Sequence, residues 1–237
     1  PTPAAVQAAA ERLGAGPGDG RPGWGELLLV DVGGATTDVH SIAEGRPIKP
    51  NVYAQGLPEP KVKRTVEGDL GMRVSAAALI EQYTPRLVGE LAGLPEDEVI
   101  ARVQARTVTT AYLPDSPADE RLEAVLGYLA VKGATERHVG KCEQVYSPQG
   151  VCYLQEGKDL TGLATVIGTG GLFLHSPARE QILAGVLPAP DHPELLKPQA
   201  PRFYYDERYL FSTLGLIAKE FPDISFSFPP AQNNEHQ

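Results

Sequence analysis

Leu27-Leu28-Leu29-Val30-Asp31-Val32-Gly33-Gly34-Ala35-Thr36-Thr37-Asp38-Val39 is the stretch that decides how this chain folds. The continuous aliphatic run from Leu27 to Val32 has the character of a strand buried on both faces, and β-branched residues from Thr36 to Ala43 resume as a second strand. Between them, Gly33 and Gly34 can adopt backbone angles closed to other residues, and without Cβ atoms they let amide N–H groups approach anionic oxygens. The hydroxyls of Thr36 and Thr37 add donors. Asp31 and Asp38 flank the turn, where carboxylates can hold a magnesium ion through its retained waters. The plainer alternative is an ordinary hairpin, with Gly-Gly at its tip and the aspartates as turn or cap residues. Glycines, hydroxyls and acids together favour a phosphate-binding hairpin, hence a nucleotide.

Composition bounds the rest. The 237 residues can build one large domain or two small ones, and 42% hydrophobic content is ample for a core. A formal net charge of -9 argues against a nucleic-acid partner, because binding a phosphate backbone needs a basic surface. Cys142 and Cys152 are too few for a disulfide framework and lack the spacing of a zinc site, so they read as reduced core thiols in a cytoplasmic protein. There is no long apolar run and no leader-like start, so neither a membrane span nor a secretory signal is expected. The chain starts at Pro1 without methionine and reads as a fragment.

In order, Pro3 to Leu13 predicts a helix capped by Thr2, followed by a glycine-rich linker from Gly14 to Gly25. After the hairpin, 48–60 reads as a proline-rich surface excursion and 61–66 as a third strand. The acidic loop Glu67-Gly68-Asp69 leads into a helix over 72–83; its acids are either site residues or helix caps. Pro95-Glu96-Asp97-Glu98 opens another helix. Ser116-Pro117-Ala118-Asp119 caps a long one, predicted to run as far as Val145. The glycines in its second half, Gly133 and Gly140, each cost about 1 kcal/mol against alanine, so something must approach closely there. Strands return at 144–146, 150–155 and 160–167. The last runs into Gly168-Thr169-Gly170-Gly171, a way to aim backbone amides at phosphate or ribose oxygens. A helix is predicted over 206–220, and the polar tail from Pro222 reads as extended or partly disordered.

The string Asp31 to Asp38 closely resembles the second phosphate motif of the actin-like ATPase superfamily, which includes actin, sugar kinases and heat-shock chaperone ATPases. The resemblance implies an α/β, ribonuclease H-like domain: a mixed five-stranded sheet flanked by helices, with a helical insertion subdomain. It divides the chain into a helix and linker (1–23), a nucleotide-binding core (24–75 plus 146–237) and a helical insertion (76–145). It assigns Asp31 and Asp38 to catalysis and to Mg2+ through water, and Gly33, Gly34, Ala35, Thr36 and Thr37 to the phosphates. By the same likeness Glu136, Arg137, Gly140 and Lys141 would reach base and ribose, unless they are simply a solvated charged face. Gly168, Thr169, Gly170 and Gly171 would form the adenosine motif.

The likeness narrows further. Asp31–Ser41 (DVGGATTDVHS), Lys63–Arg73 (KRTVEGDLGMR), Glu136–Gly140, Gly157–Thr161 (GKDLT) and Ile167–Gly171 (IGTGG) together resemble the glutamate mutase accessory family of the MutL/GlmL type, unrelated to the mismatch-repair protein of similar name. The resemblance implies a chaperone-like ATPase that binds ATP/ADP with Mg2+ and reactivates an adenosylcobalamin-dependent mutase. The first phosphate motif of such proteins is absent here, so an N-terminal domain is expected to complete the cleft. A small-molecule kinase of the same superfamily and a nucleotide-free interaction domain are the alternatives.

Overall fold

The computed structural model describes residues 2–16, 18, 20–148, 150–220 and 231–232. Helix α1 (Thr2–Ala15) precedes strands β1 (Leu27–Val32), β2 (Thr37–Ile42), β3 (Val52–Gln55) and β4 (Val62–Glu67). Four helices follow: α2 (Ala76–Tyr83), α3 (Pro85–Ala92), α4 (Glu96–Val108) and α5 (Pro117–His138). Then come β5 (Lys141–Ser147), β6 (Gly150–Glu156) and β7 (Thr165–Thr169), the short helices α6 (Gly171–His175) and α7 (Arg179–Leu183), and finally β8 (Arg202–Tyr205), α8 (Phe211–Glu220) and β9 (Ala231–Gln232).

The main sheet has the order β4-β2-β1-β7-β8-β9. β2 is antiparallel to both β1 and β4, whereas β1, β7 and β8 run parallel. Its five longer strands are the expected mixed sheet, and β9 adds a two-residue sixth at the edge. The aliphatic run of β1 is explained by alternation, since successive side chains leave a strand on opposite faces. Leu28, Val30 and Val32 join the core beneath α5, while Leu27 and Leu29 join a second cluster with Val6, Ala10 and Leu13 of α1 and Phe211 of α8. A second sheet, β3-β6-β5, stands apart from the first.

Helix α5 is the internal pillar. The Asp119 amide donates to the Ser116 hydroxyl across the Pro117 start, as its sequence predicts, and the helix is buried around most of its circumference. Its glycines mark close approaches. A Cβ on Gly127 would lie 2.6 Å from Leu172, and one on Gly133 would lie 2.6 Å from the Tyr83 hydroxyl.

Several boundaries differ from expectation. Helix α5 stops at His138, and 141–147 is a strand, because Val139-Gly140 crosses directly over the backbone of 156–158. The stretch 48–60 contains β3, which pairs in parallel with β6. Val88, Val99, Leu122 and Leu126 of the helical segment share one hydrophobic core with β1. Helix α1 covers one face of the sheet and packs against α8 so tightly that a Cβ on Gly215 would overlap the Ala5 carbonyl. Helix α8 begins five residues late because Asp206 caps it, accepting from the Leu210 and Phe211 amides. Cys142 and Cys152 are free and half-buried on the small sheet rather than in the core. The tail from Pro222 lies outside the described residues apart from β9. No described helix is long and apolar enough to cross a membrane.

Candidate functional site

The 33–36 turn closes with the Gly33 amide donating to the Thr36 carbonyl at 2.9 Å. Behind it, the Met72 and Arg73 amides donate to the Gly33 and Gly34 carbonyls at 3.0 and 2.8 Å. In a trans peptide the C=O and the following N–H point in opposite directions. Tying those two carbonyls inward therefore turns the Gly34 and Ala35 amides outward, where both residues are exposed and neither N–H has a partner among the described residues. Successive free amides in this arrangement can accommodate an anion.

Two details differ from the sequence reading. Neither Gly33 nor Gly34 has a positive φ, so the turn does not need glycine for its backbone angles. Their role is spatial: a Cβ on Gly34 would rest 3.5 Å from the Arg73 side chain, and anything larger would fill the approach to the amides. The threonine hydroxyls are already committed, Thr36 to the Asp38 carboxylate at 2.9 Å and Thr37, buried, to the Leu70 carbonyl at 2.6 Å.

Asp31 and Asp38 face each other in the β1–β2 register. Asp38 is buried and fully engaged: one oxygen takes Arg64 Nε and Nη2 at 2.9 and 2.6 Å, the other takes Thr36. Asp31 has no hydrogen-bond partner among the described residues. Burial, then the negative charges of Asp38 and Asp206, push its carboxyl up to about 6, against a smaller opposing pull from Arg64. Asp206 arrives at the end of β8, where its amide donates to the Gly168 carbonyl and its carboxylate accepts from Thr169 at 2.9 Å. A half-buried, partnerless carboxylate at a strand end is a position that could take a cation or water. The described residues bring no three metal-ligating side chains together, so an ion at Asp31 would keep most of its waters, which is magnesium's habit. Behind Asp38, buried His40 has neither ring nitrogen hydrogen-bonded, and burial lowers its pKa to about 4.

A cleft of about 380 Å³ opens beside the turn. Its walls include Gly33, Gly34, Met72, Tyr112, Leu113 and Leu172, with the Arg73–Glu123 ion pair at its base. The parallel pairing of β1 with β7 brings the second glycine loop alongside, with Asp31 opposite Thr169. Gly170 is required there: its φ is 104°, and a Cβ would sit 2.4 Å from the Val32 carbonyl and 2.9 Å from Asp31 Oδ1. Of the four expected adenosine-motif residues, only Gly171 lines the cleft; Gly168 packs on Phe173, and the Thr169 hydroxyl is spent on Asp206.

The residues expected at base and ribose are not at the cleft. Glu123 of α5 is there, and at about 1.5 Å per residue Glu136 lies roughly 20 Å further along the helix. Glu136 pairs with Lys132 and Lys197, Arg137 with Glu67 and Asp69, and Lys141 with Glu143 and Glu156. Gly140 allows the backbone crossing at 156–158. The acids of the 67–69 loop are accordingly anchors for Arg137. His138 is also structural: its ring lies 2.8 Å from the Ser41 hydroxyl and 2.9 Å from that of Thr65, and Lys158 donates to Ser41 at 3.1 Å. Arg64, Arg73, Tyr112, Glu123 and Asp206 were missed. Arg64 was visible in principle, because β4 alternates and must place one basic residue beside β2.

Strand order, an aspartate-flanked glycine turn after the first strand and a glycine loop after its parallel neighbour define an actin-like, ribonuclease H-like domain. The sequence profile described as MutL protein matches residues 1–229, and the chain belongs to that family. Protein MutL from Clostridium tetanomorphum is 45% identical over 224 residues, which is 94% of this chain and 48% of the relative. The chain thus spans about half the length of the curated relative it matches. Among solved structures, ethanolamine utilization protein EutJ from Carboxydothermus hydrogenoformans is similar over 89% of this chain and 52% of its own, at 15% identity and a TM-score of 0.31, a likeness too loose to add to the strand order.

Proposed function

We propose that the chain is the nucleotide-binding half of a chaperone-like, actin-type ATPase that serves as the accessory protein of an adenosylcobalamin-dependent mutase in the cytoplasm. The observation that carries this reading is the pairing of two outward, partnerless amides, at Gly34 and Ala35, with the partnerless carboxylate of Asp31 at the same strand end. The amides hold phosphate oxygens, and the largely apolar cleft next to them takes the nucleoside. Asp31, held at the strand end, would bind Mg2+ through water and orient the water that attacks the terminal phosphate; the ion would neutralise phosphate charge. Asp38, fixed by Arg64 and Thr36, sets the negative field without needing to touch the ligand. The part of the relative's length that this chain does not span would supply a facing domain, and closure of the two would exclude water and complete the phosphate contacts.

Two domains that close on ATP and reopen after hydrolysis form a bistable element, and a mutase gripping one state can be opened to release a damaged cobalamin. The decisive experiment mixes a stalled mutase with the full-length protein and follows cobalamin exchange with Mg-ATP, with Mg-ADP and with no nucleotide. Exchange that depends on ATP is expected. Equal rates in all three would refute the reading, and ATP-dependent labelling of a metabolite would replace it with a kinase.

A further inference from the structure

We infer that Arg73 is a positioning residue that makes the phosphate turn and the opposite wall of the cleft respond to ligand as one unit. The inference rests on the nucleotide reading above and adds how the site is held together.

The segment ending at Arg73 lies directly under the turn. Besides the two backbone hydrogen bonds already described, Gly71 approaches so closely that a Cβ there would lie 2.4 Å from the Ala35 carbonyl carbon. The Arg73 side chain then crosses the base of the cleft. Its Nε and Nη2 donate to the Tyr112 carbonyl at 3.2 and 2.9 Å, Nη2 also to Glu123 at 2.7 Å, and Nη1 to the Met72 carbonyl at 2.8 Å. The other oxygen of Glu123 accepts from Arg106 at 3.1 Å, and the fully buried Arg106 guanidinium lies 4.6 Å over the Tyr112 ring. Tyr112 is thus held twice, by its carbonyl from Arg73 and by its ring on Arg106.

The loop between α4 and α5 that carries Tyr112, Leu113 and Pro114 has no helix or strand of its own, yet it forms one wall of the cleft. A ligand whose phosphates load the Gly34 and Ala35 amides presses on the one end of this connection, and a nucleoside against Tyr112–Pro114 presses on the other. Only a guanidinium offers a planar set of donors able to reach two carbonyls and a carboxylate at once, so lysine cannot substitute. The expectation is that phosphate and nucleoside moieties, supplied as separate molecules, bind with positive cooperativity that runs through Arg73.

The test uses the full-length protein. Affinity for adenosine is measured by calorimetry with and without saturating magnesium pyrophosphate, for wild type, Arg73→Lys and Arg73→Met. Wild type should bind adenosine about fivefold or more tightly when pyrophosphate is present, an ordinary size for a site-to-site coupling. Both variants should lose that ratio, whatever the change in their affinity for adenosine alone, and a wild-type ratio near one overturns the inference. A ratio retained in Arg73→Lys, the variant that preserves charge and folding, overturns the inference and leaves the nucleotide reading standing. Failure of the wild-type protein to bind Mg-ATP overturns both.

Discussion

Replacing Asp31 with asparagine should stabilise the empty protein at neutral and alkaline pH while abolishing its response to magnesium and nucleotide. The Asp31 carboxyl is raised from 3.8 to about 6, chiefly by burial and then by Asp38 and Asp206. A raised carboxyl binds its proton more tightly in the folded than in the unfolded chain. Its favourable contribution is therefore complete below pH 3.8 and lost as pH climbs through 6. Two pKa units or so correspond to about 3 kcal/mol, the upper limit of what the ionised form costs the fold above pH 6. Asparagine carries no such charge but must solvate its own amide, so a net gain of about 1 to 2 kcal/mol at pH 8 is expected. Urea unfolding of both proteins at pH 8 and at pH 4.5 measures it: the advantage of the variant should be present at pH 8 and nearly gone at pH 4.5. Magnesium with ATP should then raise the unfolding midpoint of wild type and leave Asp31→Asn unmoved. Equal stability of the two at both pH values would show that Asp31 is not a strained, cation-shaped position.

Gly34→Val should remove nucleotide binding with little loss of thermal stability, because the turn has ordinary backbone angles and the damage is confined to the approach to the amides; calorimetry and a melting curve decide it, and undiminished binding would clear the turn of a phosphate role. Arg137→Met should leave nucleotide affinity within about twofold and cost no more than about 1 kcal/mol, since its ion pairs with Glu67 and Asp69 are partly exposed and distant from the cleft. Burial lowers His138 to about 3 and His40 to about 4, so between pH 7 and 5 the unfolded chain gains protons that the folded one refuses. Each histidine should cost about 2 kcal/mol over that interval, partly offset by about 1 kcal/mol from Asp31, whose raised carboxyl takes up its proton in the same range, so His138→Gln should remove most of the net acid decline, as read from unfolding midpoints across the range.

The hairpin and its sheet were legible because burial on both faces writes itself into β1 as an unbroken aliphatic run, and because Asp31, Gly33, Gly34 and Asp38 fall at the one place where a strand gives way to a turn. The start of α5 was equally legible from Ser116 and Pro117. Its end was not. Glycines at 133 and 140 signal that something comes close, but a ligand and the protein's own Tyr83 hydroxyl or 156–158 backbone produce the same signal. Thr36 and Thr37 illustrate a related limit: a hydroxyl's presence is read from sequence, whereas its prior commitment to Asp38 or Leu70 depends on which carbonyl the fold brings beside it. Asp206 was hidden because a helix start and a strand-end acid look alike when the same residue does both. Arg73 was hidden because its partners Tyr112 and Glu123 lie 39 and 50 positions away.

Held by His138 between Ser41 and Thr65 toward one end and by Arg73 on Glu123 toward the other, α5 joins two anchored points about 20 Å apart. The His138 end is seated on β2 and β4, and the Glu123 end is tied to Arg73 and Arg106. The neighbours packed most closely on the helix between those ends are the ones touching its two glycines, Tyr83 of α2 and Leu172 with Ile182 of α6 and α7. Under the proposed reading, a ligand at the 33–36 turn would be linked through this helix to the side of the molecule built from the short helices α6 and α7 rather than to the sheet.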